Sequence, residues 1–404
     1  MSAFVPHLSL RRSGGIRAWK MSTIGSAIQT GVFQWFDRVD DAFDAMLASI
    51  DKASISVCLE MYIFEETGVG ERFRAALTRA AERKVKVRVM IDALGSLTMS
   101  GSFWEPLTRA GGEFRWFNPL QLQRLTIRNH RKLLICDSQI AFVGGFNISQ
   151  DYEGDGINRG WYDLGLKLSG TLVPPLAESF DGSWDLADFK HQRFIRLRKN
   201  RLSHLVPTTE GQLLLMAPGR GRSELKQTLV QDLRAAQAIK IISAYFIPTR
   251  PIRRALNEVA RRGGSVQLIL AGKSDIPLSQ MASHRFYQGF LRSGIEIHEY
   301  EPQILHAKLL IIDDIVYVGS ANLDRRSLFI NYELMLRLPN ATLAKEASEI
   351  FSRALARSRR VELNAWRRSR GFWVRLKEEW AFWLLARVDP YVAHRQLRRL
   401  QTLR

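Results

Sequence analysis

The sequence predicts an α/β protein of two pseudo-symmetric lobes, each a mixed β-sheet flanked by helices, and three observations carry that expectation. Short β-branched apolar runs alternate with segments of helical periodicity, the pattern of α/β/α lobes. The same order of elements occurs twice along 404 residues, a length that buries one large core or two medium ones. One short motif, His-x-Lys followed by four apolar-biased residues and an Asp, occurs once in each half.

The first half reads as strand Ile55–Phe64, helix Gly70–Arg83, strand Val85–Ile91, strand Lys132–Cys136 and strand Ile140–Val143. The second repeats it: strand Ile239–Ile247, helix Ile252–Arg262, strand Val266–Ala271, strand Lys308–Ile312 and strand Ile315–Val318. Local matches support the doubling, since Met61-Tyr62-Ile63-Phe64 parallels Ala244-Tyr245-Phe246-Ile247. The chain therefore divides into a basic leader (1–32), a first lobe (33–185), a basic linker (186–209), a second lobe (210–355) and a basic, Trp-rich helical tail (356–404).

Composition narrows the partners. With 46% hydrophobic and 25% charged residues the chain is globular. Cys58 and Cys136 lie in apolar runs and read as buried thiols of a reducing compartment. The net charge of +19 favours an anionic partner, either nucleic acid or an acidic membrane surface. From residue 351 to the end, 14 basic residues face four acidic ones, interleaved with Trp366, Trp373, Trp380 and Trp383. From Phe189 to Thr209 the linker adds Lys190, Arg193, Arg196, Arg198, Lys199 and Arg201 without an acid. No apolar run reaches the roughly 20 residues that span a bilayer, so a membrane would be met from its surface. The leader, with Arg11, Arg12, Arg17 and Lys20, lacks the apolar run of a secretory signal. Its composition resembles a transit peptide, and Met21 offers an alternative start.

The motifs are His130-Arg131-Lys132 through Asp137 and His306-Ala307-Lys308 through Asp313. On a strand, residues two apart share a face, so each His projects with its Lys, while the Asp falls on the other parity at the strand end. The candidate catalytic set is His130, Lys132, Asp137, His306, Lys308 and Asp313, with the two Asp in orienting or folding roles. Downstream come Gly144-Gly145-Phe146-Asn147 and Gly319-Ser320-Ala321-Asn322, with His-to-Asn spacings of 17 and 16 residues. Glycine allows a tight turn beside a ligand, and the amides of Asn147 and Asn322 suit phosphate oxygens. Acids follow at Asp163 and Glu333, each a candidate to fix a histidine tautomer. In-line displacement at phosphorus needs a nucleophile on one side and a proton donor on the other. Two histidines supply both, and two lysines with two asparagines stabilise the non-bridging oxygens. One such motif alone would be commonplace; the ordered recurrence of the whole set is not. His284 and His298 lack these companions and are expected at the surface or a helix edge. His191 and His204 fall in the linker. Gly272-Lys273-Ser274 lacks the earlier glycine of a P-loop.

On these residues the chain resembles the phospholipase D superfamily over roughly residues 33–340. Within it, the chain is most similar to bacterial cardiolipin synthases without N-terminal transmembrane helices, through Gly144–Ile148, Ala244–Pro248, Gly319–Asp324 and the Trp-bearing tail. The resemblance implies phospholipase D-like α/β/α lobes with one active site between them and no cofactor. It implies His130 as nucleophile and His306 as acid, with Asp163 orienting His130 and Glu333 orienting His306. It implies a phosphatidyl group moved through a phosphohistidine onto phosphatidylglycerol, releasing glycerol and forming cardiolipin at the cytoplasmic side of a bacterial membrane. The residues themselves leave three readings open: phospholipid transfer or hydrolysis, nucleic-acid cleavage, and anion binding without catalysis. Two complete motifs in one chain tilt the balance to lipid and away from nucleic acid. The tail fits either an interfacial helix or one packed on the protein's own core. A doubled motif makes a complete site within a monomer, and no heptad pattern asks for a partner.

Overall fold

A computed structural model describes residues 31–119, 127–187, 204–218 and 223–388. The first half comprises β1 (Phe33–Phe36), α1 (Val39–Lys52), β2 (Ser56–Met61), α2 (Gly68–Glu82), β3 (Lys86–Asp92), α3 (Glu105–Arg109), β4 (Glu113–Phe117), β5 (Leu133–Cys136), β6 (Ile140–Gly144), β7 (Gly165–Ser169) and α4 (Val173–Leu186). The second comprises β8 (Leu205–Pro207), β9 (Gln212–Met216), α5 (Glu224–Ala235), β10 (Ala238–Ser243), α6 (Arg250–Arg261), β11 (Ser265–Ala271), α7 (Pro277–Arg292), β12 (Glu296–Tyr300), β13 (Lys308–Ile312), β14 (Ile315–Gly319), α8 (Arg325–Phe329), β15 (Glu333–Pro339) and α9 (Ala341–Leu355). After them come β16 (Ser358–Arg360), α10 (Leu363–Ser369) and α11 (Phe372–Trp383).

The first sheet runs β1-β7-β6-β5-β2-β3-β4, and the second β16-β12-β11-β10-β13-β14-β15-β9-β8. Without its edge strands β16 and β8, and taken from the other end, the second sheet repeats the first strand for strand. Only β2-β3-β4 and β10-β11-β12 are parallel. Parallel neighbours need a crossover, and helices α2 and α3, or α6 and α7, provide it. In α6, Ile252, Ala255, Leu256 and Val259 form one buried stripe at helical spacing.

Strand parity distributes the core. Leu133 and Ile135 of β5, with Leu309 and Ile311 of β13, enter one apolar core shared by the two sheets, which α4 and α9 complete. Their neighbours Leu134 and Cys136, and Leu310 and Ile312, point outward to separate cores under α1–α2 and α5–α7. Strands buried on both faces need continuous apolar runs, which is why both motifs continue as four apolar residues. Cys58 and Cys136 are buried and free.

The structure trims the expected strands instructively. Ile55–Phe64 shortens to β2 because Ile63 N–H donates to the Asn147 side chain and Phe64 bridges to Ile148. Ile239–Ile247 shortens to β10, with Phe246 bridging to Leu323. The released residues Tyr62, Ile63, Tyr245 and Ile247 line a pocket instead. The helical run expected after residue 340 is real but interrupted by β16, which adds to β12. The leader to residue 30, the linker from Lys190 to Arg201 with His191, and the tail beyond residue 388 lie outside the described residues.

The motif aspartates are corrected here. Asp137 and Asp313 occupy hairpin turns with φ of 55° and 49°, at the far ends of β5 and β13 from the histidines. The Asp137 carboxylate accepts from the backbone N–H groups of Ser54, Ile55 and Ser56, and Asp313 from those of Gln237 and Ala238. These bonds hold Asp137 below the usual carboxylate range although solvent reaches it. Both residues pin the entry of a central strand and take no part in the pocket. Asp137→Asn is expected to cost about 1 kcal/mol after solvent screening, seen as a lower melting temperature with turnover per folded molecule retained.

Candidate active site

Each histidine is held by the opposite lobe. His130 N–H donates to Tyr332 C=O at 2.9 Å, and Tyr332 N–H returns a bond to Arg128 C=O at 2.8 Å. The pseudo-symmetric counterpart joins His306 N–H to Tyr162 C=O at 2.8 Å, and Tyr162 N–H to Ile304 C=O at 2.9 Å. The acids adjoin the bridging tyrosines, so each lands on the foreign imidazole. His130 Nδ1 lies 3.0 Å from Glu333 Oε2, and His306 Nδ1 lies 2.7 Å from Asp163 Oδ2. The expected assignment, Asp163 to His130 and Glu333 to His306, is therefore reversed. Pairing within a lobe is ruled out because the short bridge carries Tyr-Asp or Tyr-Glu across the interface.

The lysines close on their own histidines. Lys132 Nζ donates to His130 C=O at 2.7 Å and faces the Tyr62 ring at 5.0 Å. Lys308 Nζ lies 2.8 Å from His306 Nδ1 and 3.1 Å from Nε2, across the ring. Tyr62 packs on His130 at 4.8 Å, and Tyr152 and Trp161 on His306 at 5.4 and 5.6 Å. Behind His130, Asn129 donates its N–H to Asp92 and its amide to Glu60, while Arg131 pairs with Glu60 and bonds Ser179 and Ser183 on α4. These buried contacts fix the backbone on both sides of the nucleophile candidate.

Burial dominates the electrostatics. Desolvation, joined by the Lys132 and Lys308 charges, pushes His130 down to about 4 against the pull of Glu333. The same causes push His306 well below its ordinary value. Burial lowers Lys308 to about 8 and also pushes Lys132 well below the usual amine range. The acids differ. Burial lifts Asp163 to about 7. Glu333 stays below the usual range although burial opposes it, because His130, Lys132 and the Ser320 hydroxyl favour its charge. Ser320 Oγ donates to Glu333 at 2.5 Å, Ser327 Oγ at 2.8 Å and Asn331 Nδ2 at 3.2 Å. Asp163 instead accepts from Leu164 N–H at 2.7 Å. The position matching Ser320 is Gly145, where a Cβ would sit 2.3 Å from Asp163 Oδ1. One lobe thus has a hydroxyl donor and the other only space for the carboxylate.

Both histidines, Asn147 and Asn322 line one pocket of about 540 Å³, within the range of small-ligand sites. The two amides are unlike. Asn147 is tied to Ile63 N–H and the Tyr152 hydroxyl, whereas Asn322 Oδ1 is buried without a hydrogen-bond partner. His284 and His298 are not at the surface. His284 packs against Trp366 and lies 3.4 Å from Glu299, and His298 is buried on β12. His204 is exposed. Sequence reasoning missed Tyr62, Tyr152, Trp161, Tyr245, Ser320 and Ser327 as wall and donor residues. The Tyr62–Tyr245 match carried a signal, since a tyrosine follows the equivalent central strand, β2 or β10, in each half.

The family model described as "Cardiolipin synthase, PLD-like domain" matches residues 46–158 and 229–355. The major cardiolipin synthase ClsA of Bacillus subtilis is 31% identical over 347 residues, covering 84% of this chain and 71% of that protein. A cardiolipin synthase of Clostridium perfringens is 31% identical over 344 residues, covering 82% and 71%. The crystal structure of phosphatidylserine synthase from Haemophilus influenzae shares the fold, with a TM-score of 0.69, 14% identity and coverage of 89% of this chain and 94% of that one.

Ser320→Ala removes a donor from a buried carboxylate, a change worth about 1–2 kcal/mol, or roughly one pH unit. Glu333 should titrate higher, and the acidic limb of a kcat/KM profile should move to higher pH by that amount.

Proposed function

The chain belongs to the phospholipase D-like family of cardiolipin synthases, and on that premise we propose that it is a phosphatidyltransferase acting on phosphatidylglycerol. The observation that carries this reading is the pair of imidazoles on one pocket, each with Nδ1 against a carboxylate from the other lobe. His130 Nε2 attacks the donor phosphorus, and the bond to the leaving glycerol oxygen breaks as His306 supplies its proton. The phosphatidyl group then rests on His130 until the hydroxyl of a second phosphatidylglycerol displaces it. Glu333 favours His130 as the nucleophile, because a fully ionised carboxylate fixes the Nδ1–H tautomer and steadies the positive charge that develops on attack. In the free protein His306 is neutral. An arriving phosphodiester adds negative charge beside it and raises its affinity for the proton it must donate. Lys132, Lys308 and Asn322 face the non-bridging oxygens.

The tail supports a lipid surface as the place of work. Trp366 stacks on Tyr287 at 4.7 Å, Phe382 meets Phe286, and Ala381 and Ala386 are buried, so one face is part of the second lobe. The other face is bare: Phe372 and Trp373 are each 72% exposed, and Trp380 and Trp383 each 55%. Trp373, Leu376, Trp380 and Trp383 recur at helical spacing as one stripe among Arg375, Lys377 and Arg387. Leu384 and Leu385, next along the chain, line the pocket. The stripe thus adjoins the entrance, where aromatic rings at headgroup depth and basic residues on anionic lipid would present substrate to it. No helix among the described residues is long and apolar enough to cross a membrane. Attachment from the cytoplasmic face is the arrangement we favour.

Purified protein given phosphatidylglycerol vesicles should produce cardiolipin and glycerol, and His130→Ala and His306→Ala should each lose at least 10³-fold in rate. Phosphatidic acid alone would make the chain a hydrolase, and cleavage of single-stranded DNA without lipid turnover would refute the reading. Protein denatured rapidly with detergent at neutral pH, where the P–N bond survives, should carry labelled phosphatidyl on His130. Trp373→Ser with Trp380→Ser should weaken sedimentation with anionic vesicles about tenfold or more, without lowering the melting temperature. Deleting the whole tail is the poorer test, because it also removes β16 and the buried Trp366.

A further inference from the structure

Transfer between two anionic lipids needs two anion sites. The migrating phosphate is assigned to Lys132 and Lys308 beside the histidines, while the wall of the pocket itself carries Arg128, Arg325 and Arg326. Arg325 is the informative one. Its Nε is buried without a hydrogen-bond partner, and its guanidinium lies 6.0 Å from the Phe329 ring. Among the described residues no carboxylate pairs with it. The nearby pocket acids are engaged elsewhere: Asp324 caps α8 through Ser327 N–H at 2.8 Å, and Asp275 accepts from the Tyr245 hydroxyl at 2.6 Å. Burial and the positive charge of Arg387, which follows α11, both weigh on Arg325.

We propose that Arg325 binds the phosphate of the acceptor phosphatidylglycerol, and thereby selects an anionic lipid over water or a neutral alcohol. This deepens the phosphatidyltransferase reading and rests on it. Arg325 lies three residues beyond Asn322, which faces the migrating phosphate, and shares the pocket wall with Leu384 and Leu385, which follow the aromatic stripe. A lipid entering from the interface meets Arg325 with its phosphate while its glycerol end extends inward. The terminal hydroxyl oxygen then attacks phosphorus on His130. The P–N bond breaks, its electron pair returns to Nε2, and the hydroxyl proton passes to His306. A planar guanidinium with five donors suits a phosphodiester that must be held in one orientation.

The test sets two acceptors in competition for one intermediate. Wild-type protein, Arg325→Ala and Arg325→Lys are given phosphatidylglycerol vesicles containing 1-butanol, and cardiolipin and phosphatidylbutanol are measured together. Arg325→Ala should lower the ratio of cardiolipin to phosphatidylbutanol by about tenfold or more, with Arg325→Lys in between. Both products come from the same active molecules, so loss of folded protein leaves the ratio unmoved. An unchanged ratio, or equal loss of both products from folded protein, overturns the acceptor role. Failure of the wild-type protein to make either product overturns the phosphatidyltransferase reading, and the proposal with it.

Discussion

The crossed pairing of each histidine with the other lobe's acid is the constraint on which the rest of the structure depends. Neither lobe contains a histidine with its carboxylate, so the site exists only when both are docked. Backbone hydrogen bonds do the crossing, two at Tyr332 and three at Tyr162, whose C=O accepts from both His306 and Ala307. The apolar core shared by the sheets keeps those short bridges in register. With both imidazoles neutral, the buried charges are two lysines against Asp163 and Glu333. Such a set is tolerable in a dry interior only when every charge has a close opposite, and a missing partner would leave an uncompensated ion. Displacing one lobe would break both carboxylate contacts at once, which couples the chemistry of the site to the integrity of the interface.

Pseudo-symmetry fixes where the groups stand but not what surrounds them. A serine hydroxyl at 320 and a bare glycine at 145 are enough to separate two acids that the fold places equivalently. Glu333, with three side-chain donors besides His130, is held below the usual carboxylate range; Asp163, with one backbone donor besides His306, is lifted by burial to about 7. Two histidines that look interchangeable in the motif therefore differ in the partner that stabilises them. Assigning different roles to His130 and His306 follows from that difference, which the bare motif does not contain.

Much of this architecture was legible in the sequence, and the gaps have physical causes. Central strands and their helices were readable because burial on both faces demands apolar runs, and the repeat supplied an internal check. Edge strands such as β1, β8 and β16 were not, since three or four residues carry too little pattern. The crossing of acids and histidines was invisible because spacing tells which residues share a strand face, not which lobe they meet. Asp137 and Asp313 were grouped with the chemistry by proximity in sequence, but a four- or five-residue strand separates them from His130 and His306, and their carboxylates were taken by backbone donors. His284 and His298 were misplaced because their burial depends on α10 returning to cover α7 and β12.

The tail shows the same limit from another side. Interleaved Trp and Arg residues left open whether it packs on the protein or faces an interface, and the structure packs one face on the second lobe and leaves the other exposed. Trp366 and Ala381 face inward, and Trp373, Trp380 and Trp383 outward. A helix anchored by its buried face cannot turn its apolar stripe toward the core when no membrane is present, so the stripe stays in water at a standing free-energy cost. That cost is about 25 cal/mol for each Å² of apolar surface left exposed, and an interface that covers the stripe recovers it. The same rigidity holds Leu384 and Leu385 on the pocket wall whether or not lipid is bound. Surface attachment in this arrangement needs no conformational change to bring the entrance to the lipid, because the packing that orders the tail also sets the distance between them.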